Sequence, residues 1–151
     1  VYTEESLNSV FPLHTPAISP GESVSQTFRS SHDRLHSVGI ALSYQDDLSD
    51  DASVLFQVLS DEELVLEQTL SLRYCPNSGF CTLILDLRNC QGKAIAIRIK
   101  NTSQSPENAV FSLLATDKDY LYLDNVDNYL LNGEEQDVRL LLASSYMTGY
   151  S

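Results

Sequence analysis

The chain has 151 residues, 42% of them apolar and 20% charged, which is the size of a single domain able to bury a core without help from metals or disulfides. Its 9 Lys and Arg stand against 21 Asp and Glu, and a net charge of −12 excludes nucleic-acid backbones and anionic membrane surfaces as partners, favouring cations or neutral ligands such as glycans. No apolar run approaches the ~18 residues that cross a bilayer, so no direct membrane insertion of this segment is expected.

The sequence opens at Val1 with no initiator Met, basic n-region or apolar h-region, the expectation for a processed protein or a piece of a larger, membrane-anchored one. Residues 1–20 carry Pro12, Pro16 and Pro20 with little periodicity and read as an extended arm or linker. A β-domain is expected over residues 21–146, followed by a short tail at 147–151.

Within the domain, period two dominates. Strands are predicted at "VSQTF" (24–28), "LHSVGIAL" (35–42), "VLFQVL" (54–59), "LVLEQTLSL" (64–72), "CTLILDL" (81–87), "AIAIRIK" (94–100), "AVFSLLAT" (109–116) and "DVRLLLAS" (137–144). The alternation turns Phe28, Val38, Ile40, Leu42, Phe56, Leu66, Leu83, Leu85, Ile97, Phe111 and Leu140 inward, and on the fourth strand Leu64, Leu70 and Leu72 with them. The competing helix over "SDEELVLEQTLSL", where Ser60 and Glu63 imitate a capping box, is disfavoured by the same alternation. About eight strands with one apolar face each predict an all-β fold, a two-sheet antiparallel β-sandwich.

"CPNSGFC" invites three readings. A four-ligand zinc site needs paired clusters, and His14, His32 and His36 lie far from Cys75, Cys81 and Cys90 in sequence. A thioredoxin-type pair has two residues between its cysteines at a helix start, and this stretch has more, in a turn between strands. If Pro76–Gly79 turns between two strands, Cys75 and Cys81 come within bridging reach, whereas Cys81 and Cys90 end up about 30 Å apart at opposite ends of one strand. The expectation is a Cys75–Cys81 disulfide in an oxidising compartment with Cys90 free; the alternative is three reduced thiols in a cytosolic protein.

Catalytic constellations are weak. Ser31, His32 and Asp33 are sequence neighbours, whereas a triad is assembled from distant elements, and no G-x-S-x-G elbow is present. The chain is therefore expected not to be an enzyme. Two acidic loops are better candidates for binding. "QDDLSDDAS" concentrates Asp46, Asp47, Asp50 and Asp51, the hard oxygen ligands that Ca2+ takes, although EF-hand spacing is missing and a solvated loop has the same composition. "DKDYLYLDNVDNYLLNG" interleaves Tyr120, Tyr122 and Tyr129 with Asp124 and Asn125, flat rings beside planar hydrogen-bonding groups as sugar recognition uses, against the alternative that the rings pack as a core edge. Asn101-Thr102-Ser103 matches the N-glycosylation sequon, a pattern frequent by chance.

The order of elements resembles an extracytoplasmic jelly-roll domain of bacterial polytopic membrane proteins, similar to carbohydrate-binding modules and often attached to glycosyltransferase-like segments. The resemblance lies in Gln26-Thr27-Phe28, "LHSVGIAL", Asn108-Ala109-Val110, the Tyr-rich loop ending in Asn132-Gly133, and "DVRLLLASSY". The resemblance implies a jelly-roll, galactose-binding-like sandwich and an extracytoplasmic location, and no catalytic residue. The chain departs from the pattern in lacking Trp and in carrying Cys75 and Cys81. Two functions follow: a non-catalytic accessory module that binds or handles glycans, or a protein-interaction or spacer module that positions a neighbouring domain.

Overall fold

The computed structural model describes residues 2–7, 13–105, 107–117, 129–136 and 138–148. The protein is an all-β sandwich of two antiparallel sheets, with thirteen strands among the described residues where about eight were expected. One sheet has 7 strands, with path β1-β13-β4-β9-β12 and with β7 and β2 attached to β4 and β9. The other has 6, in the order β11-β10-β3-β8-β5-β6.

The chain changes sheet at eight of the twelve successive connections between the strands of the described residues. β3 (Ser23–Arg29), β5 (Ser53–Ser60), β6 (Glu63–Ser71) and β8 (Ala94–Asn101) lie in the second sheet. β4 (Leu35–Ser43), β7 (Phe80–Leu87) and β9 (Ser112–Asp117) lie in the first. Two short hairpin strands, β10 (Leu130–Leu131) and β11 (Glu134–Glu135), then extend the second sheet. β12 (Val138–Leu140) and β13 (Leu142–Met147) return to the first.

Alternation explains the core. Val24 and Phe28 on β3, Val54, Phe56 and Val58 on β5, and Ile95, Ile97 and Ile99 on β8 face Leu35, Val38, Ile40 and Leu42 on β4 and Leu83 on β7. Of the residues predicted inward, Leu66, Leu70 and Leu85 are only partly buried against this core and Leu64 is exposed; the others are buried.

Three local departures have physical causes. Residues 1–20, read as an arm, supply β1 (Tyr2–Leu7), paired with β13 from Tyr2–Met147 to Leu7–Leu142, and β2 (Leu13–His14), paired with β9. Prolines at positions 12 and 16 interrupt the stretch without preventing its ends from adding to sheet edges. On β6, Val58 pairs with Leu66 but Leu59 with Leu64, so Val65 is an extra residue that turns Leu64 to the outer face, where it is 48% exposed. The predicted last strand breaks at Leu141: β12 pairs with β9, β13 pairs with β4, and the Leu141 N–H donates to the Leu114 carbonyl at the break.

The β5–β6 and β10–β11 hairpins both turn on two residues of positive φ, Asp61 with Glu62 and Asn132 with Gly133, the twist that matches flanking strands. Asn132 adds a clamp, its Oδ1 accepting from the Ser23 N–H at 3.1 Å.

Two buried amides tie the sheets together. Gln26, an inward position of β3, accepts from the Leu140 N–H of β12 at 2.9 Å. Asn101, at the end of β8, is 0% exposed; its Nδ2 donates to the carbonyls of Ile18 at 2.9 Å and Ala109 at 2.6 Å, and its Oδ1 accepts from the Ser103 N–H at 3.1 Å. The sequon asparagine is therefore a core hydrogen-bonding residue, closed to glycosylation in the folded state.

Replacing Ile97, fully buried on a central strand, by Ala is expected to lower unfolding free energy by about 2–5 kcal/mol in denaturant titration. Asn101→Ala strips partners from two carbonyls and one N–H, and at about 1–3 kcal/mol for each buried group left unpaired it is expected to cost roughly 3 kcal/mol or more.

Candidate functional site

The inward isoleucines of β8 dictate what the other face carries: Ala94, Ala96, Arg98 and Lys100 point away from the core. On β3 the same rule turns Ser25 and Thr27 outward, and on β5 Leu55, Gln57 and Leu59. The centre of this sheet's outer face is thus floored by small side chains. A groove of about 610 Å³ lies over Ser25, Thr27, Ala94 and Ala96, bounded by the Asp61–Glu62 turn, Leu130 and Arg98. A second depression of about 290 Å³ over Ser23, Leu55, Gln57 and Lys100 meets the first at Arg98.

Strand register fixes the charges across this face. Leu130, Ser25, Arg98, Gln57 and Glu67 form one transverse row through successive pairings of β10, β3, β8, β5 and β6. Gln57, between Arg98 and Glu67 in the row, donates to the Glu67 carboxylate at 2.9 Å. Asp61 is likewise engaged, exchanging hydrogen bonds with the Ala94 backbone at 2.9 and 3.0 Å. Arg98 and Lys100 are exposed and close no ion pair or hydrogen bond among the described residues.

Arg34 and Arg73 are engaged in ion pairs, whereas the buried Nε of Arg139 has no hydrogen-bond partner among the described residues. Arg34 meets Asp86 at 2.8 Å and holds that carboxyl below the usual carboxylate range, while Arg73 pairs with Asp50 at 3.1 Å.

The residues singled out in the sequence are placed differently. Tyr120, Tyr122, Asp124 and Asn125 lie outside the described residues. Tyr129 is 0% exposed and belongs to the hydrophobic core, so it offers no ring face to a ligand. Burial raises the pKa of its phenol, opposed only in part by the Thr15 side chain, and the hydroxyl closes no well-aligned hydrogen bond among the described residues. Asp46, Asp47, Asp50 and Asp51 are exposed and do not converge: Asp50 goes to Arg73, Asp51 accepts from the Ser49 hydroxyl, and no group of three or more His, Cys, Asp or Glu among the described residues is arranged to hold a metal. Carboxylates this close repel, and the loop resolves that by turning them apart toward separate donors and water.

The cysteine expectation is corrected. Cys75 and Cys81 are neighbours, but their sulfurs are 3.3 Å apart and both thiols are free, as is Cys90. The segment between them is no hairpin turn. β6 and β7 belong to opposite sheets, and the chain crosses through a one-turn 3-10 helix at Leu72–Tyr74. Asn77 secures the crossing by imitating a strand partner: its side chain accepts from the Tyr44 N–H at 3.0 Å and donates to the Tyr44 carbonyl at 2.8 Å. The thiols meet inside the core, where the hydrogen bond to Cys81 and then burial raise the pKa of Cys75.

The sequence signal for the grooved face was present in "AIAIRIK", where small residues and then cations occupy the face opposite the isoleucines.

No family profile matches the chain, and no curated protein matches it in sequence. Among solved structures it is similar to the crystal structure of the Yersinia pseudotuberculosis-derived mitogen, at 14% identity and a TM-score of 0.44, covering 84% of this chain and 94% of that one. At that distance the likeness carries no argument about function.

Thiol titration of protein unfolded without reductant is expected to return three free cysteines, with slow reaction before unfolding because all three are buried. A count of one would show the neighbouring pair to be oxidised.

Proposed function

We propose that the protein is a non-catalytic accessory module that binds glycans on the outer face of its second sheet, in an extracytoplasmic setting and as part of a larger or membrane-anchored protein. The observation that carries the reading is the open groove over Ser25, Thr27, Ala94 and Ala96. Its floor is rigid strand, its side chains are short enough to admit a sugar ring, and hydroxyl, carboxylate and guanidinium groups converge on it. The resemblance to extracytoplasmic jelly-roll modules supports the setting; the three free thiols withdraw the support that a Cys75–Cys81 bond would have given it. No helix among the described residues is long and apolar enough to cross a membrane.

A protein-interaction or spacer role is the second reading, favoured by the exposed apolar side chains of Tyr74, next to Cys75 at the crossover, and of Ile84 on β7.

A glycan array probed with the whole chain is expected to show binding that Ala96→Trp, which fills the groove from its floor, reduces roughly tenfold or more without changing the thermal midpoint. Absence of binding to every arrayed glycan would sink the reading and leave the interaction or spacer role.

A further inference from the structure

We propose that the glycan this face takes is an acidic one, its carboxylate seated on the Arg98 guanidinium with Lys100 beside it. The inference rests on the glycan reading and names the chemistry of its ligand.

The argument starts from charge. In a chain with 9 basic and 21 acidic residues, two cations stand at alternate positions of one strand, on the same face and roughly 7 Å apart. That face is the one the groove occupies, and Arg98 lies where its two depressions meet. No carboxylate closes an ion pair with Arg98 among the described residues: in the transverse row Glu67 lies two strands away and accepts from Gln57, and Asp61 accepts from the Ala94 N–H. A guanidinium with its fork free, flanked in register by Ser25 and Gln57, is built for bidentate recognition of a planar carboxylate.

The groove also sets polarity along its length. From Arg98 to Ala94, beside the acidic turn, is about 13 Å at strand spacing. An oligosaccharide lying along β8 places its carboxylate at the cationic end and its hydroxyls against Thr27 and the Asp61–Glu62 turn, where carboxylates accept hydrogen bonds. A densely charged polyanion fits poorly, because the acidic turn and the net charge of −12 repel it. A carboxylate separated by neutral sugar from the next suffers less, since charges beyond about 8 Å are largely screened at physiological ionic strength.

The test uses hyaluronan hexasaccharide, whose carboxylates fall on alternate sugars, and the same oligosaccharide with those carboxylates reduced to alcohols, titrated calorimetrically into the whole chain and into Arg98→Gln and Arg98→Lys. The acidic form is expected to bind wild type, and the reduced form to bind it roughly tenfold or more less tightly, the effect of losing one charge-assisted hydrogen-bonding pair. Arg98→Gln is expected to bring both forms to the same weak level and Arg98→Lys to recover part of the difference, with circular dichroism and melting unchanged because Arg98 is exposed. Equal binding of both forms by wild type, or binding of the acidic form unchanged in Arg98→Gln, overturns the inference and leaves the glycan reading standing. A poly-glutamate peptide that binds as tightly as the acidic oligosaccharide, with the same dependence on Arg98, overturns the assignment to a glycan. Failure of both oligosaccharides, together with failure of every glycan on the array, removes the inference and the reading it rests on.

Discussion

The sandwich depends on one buried amide, that of Asn101. Two sheets facing each other across an apolar layer attract without direction, and hydrophobic contact alone does not fix how one slides over the other. Asn101 supplies direction. It sits at the end of β8 in the second sheet and binds the carbonyls of Ile18 and Ala109, whose stretches meet at the Ile18–Phe111 bridge leading into β9 of the first. Its own backbone is paired with the Gly21–Glu22 turn that opens β3, with Gly21 N–H donating to the Asn101 carbonyl at 2.8 Å and the Asn101 N–H donating to the Glu22 carbonyl at 3.0 Å. One residue thereby sets the start of β3, the end of β8 and the entry to β9. Gln26 makes a second inter-sheet link to Leu140, and both amides act in a low-dielectric interior where an unmatched partner is costly.

That anchoring has a consequence for the grooved face. β3 and β8 are neighbours in the middle of the second sheet, paired from Ser23–Lys100 to Arg29–Ala94, and their inward side chains are locked in the core. The outward side chains between them therefore have fixed spacing. A binding face carried on such strands changes little on meeting its ligand and loses little entropy in doing so. The small residues that make the groove are also those the fold does not need on that side, which leaves the face open to other uses.

The crossover near Cys75 shows a different balance. A chain leaving one sheet for the other must cover backbone groups that no strand partner satisfies. Here Asn77 makes an isolated parallel bridge to Leu42 of β4, the Ser78 N–H donates to the Leu42 carbonyl at 2.6 Å, and the Tyr44 hydroxyl donates to the Cys75 carbonyl at 2.8 Å. The sulfurs lie together as a result of this crossing, packed as small apolar groups among the core residues.

Much of the fold was legible in the sequence because period two is a local property. Each predicted strand has a counterpart, the last of them split at Leu141, and most inward residues were named. Proximity of Cys75 and Cys81 was also legible, being a matter of short separation. The binding face was legible only in half: alternation says that Arg98 opposes Ile97 and Ile99, but not that Ser25 and Gln57 flank it or that Glu67 is engaged elsewhere. Those facts, like the break at Leu141, the turning out of Leu64 and the burial of Tyr129, come from pairings between segments far apart in the chain. The sequence determined which side chains share a face; the tertiary structure alone decided what that face meets, because register and sheet assignment are set by partners that no local pattern encodes.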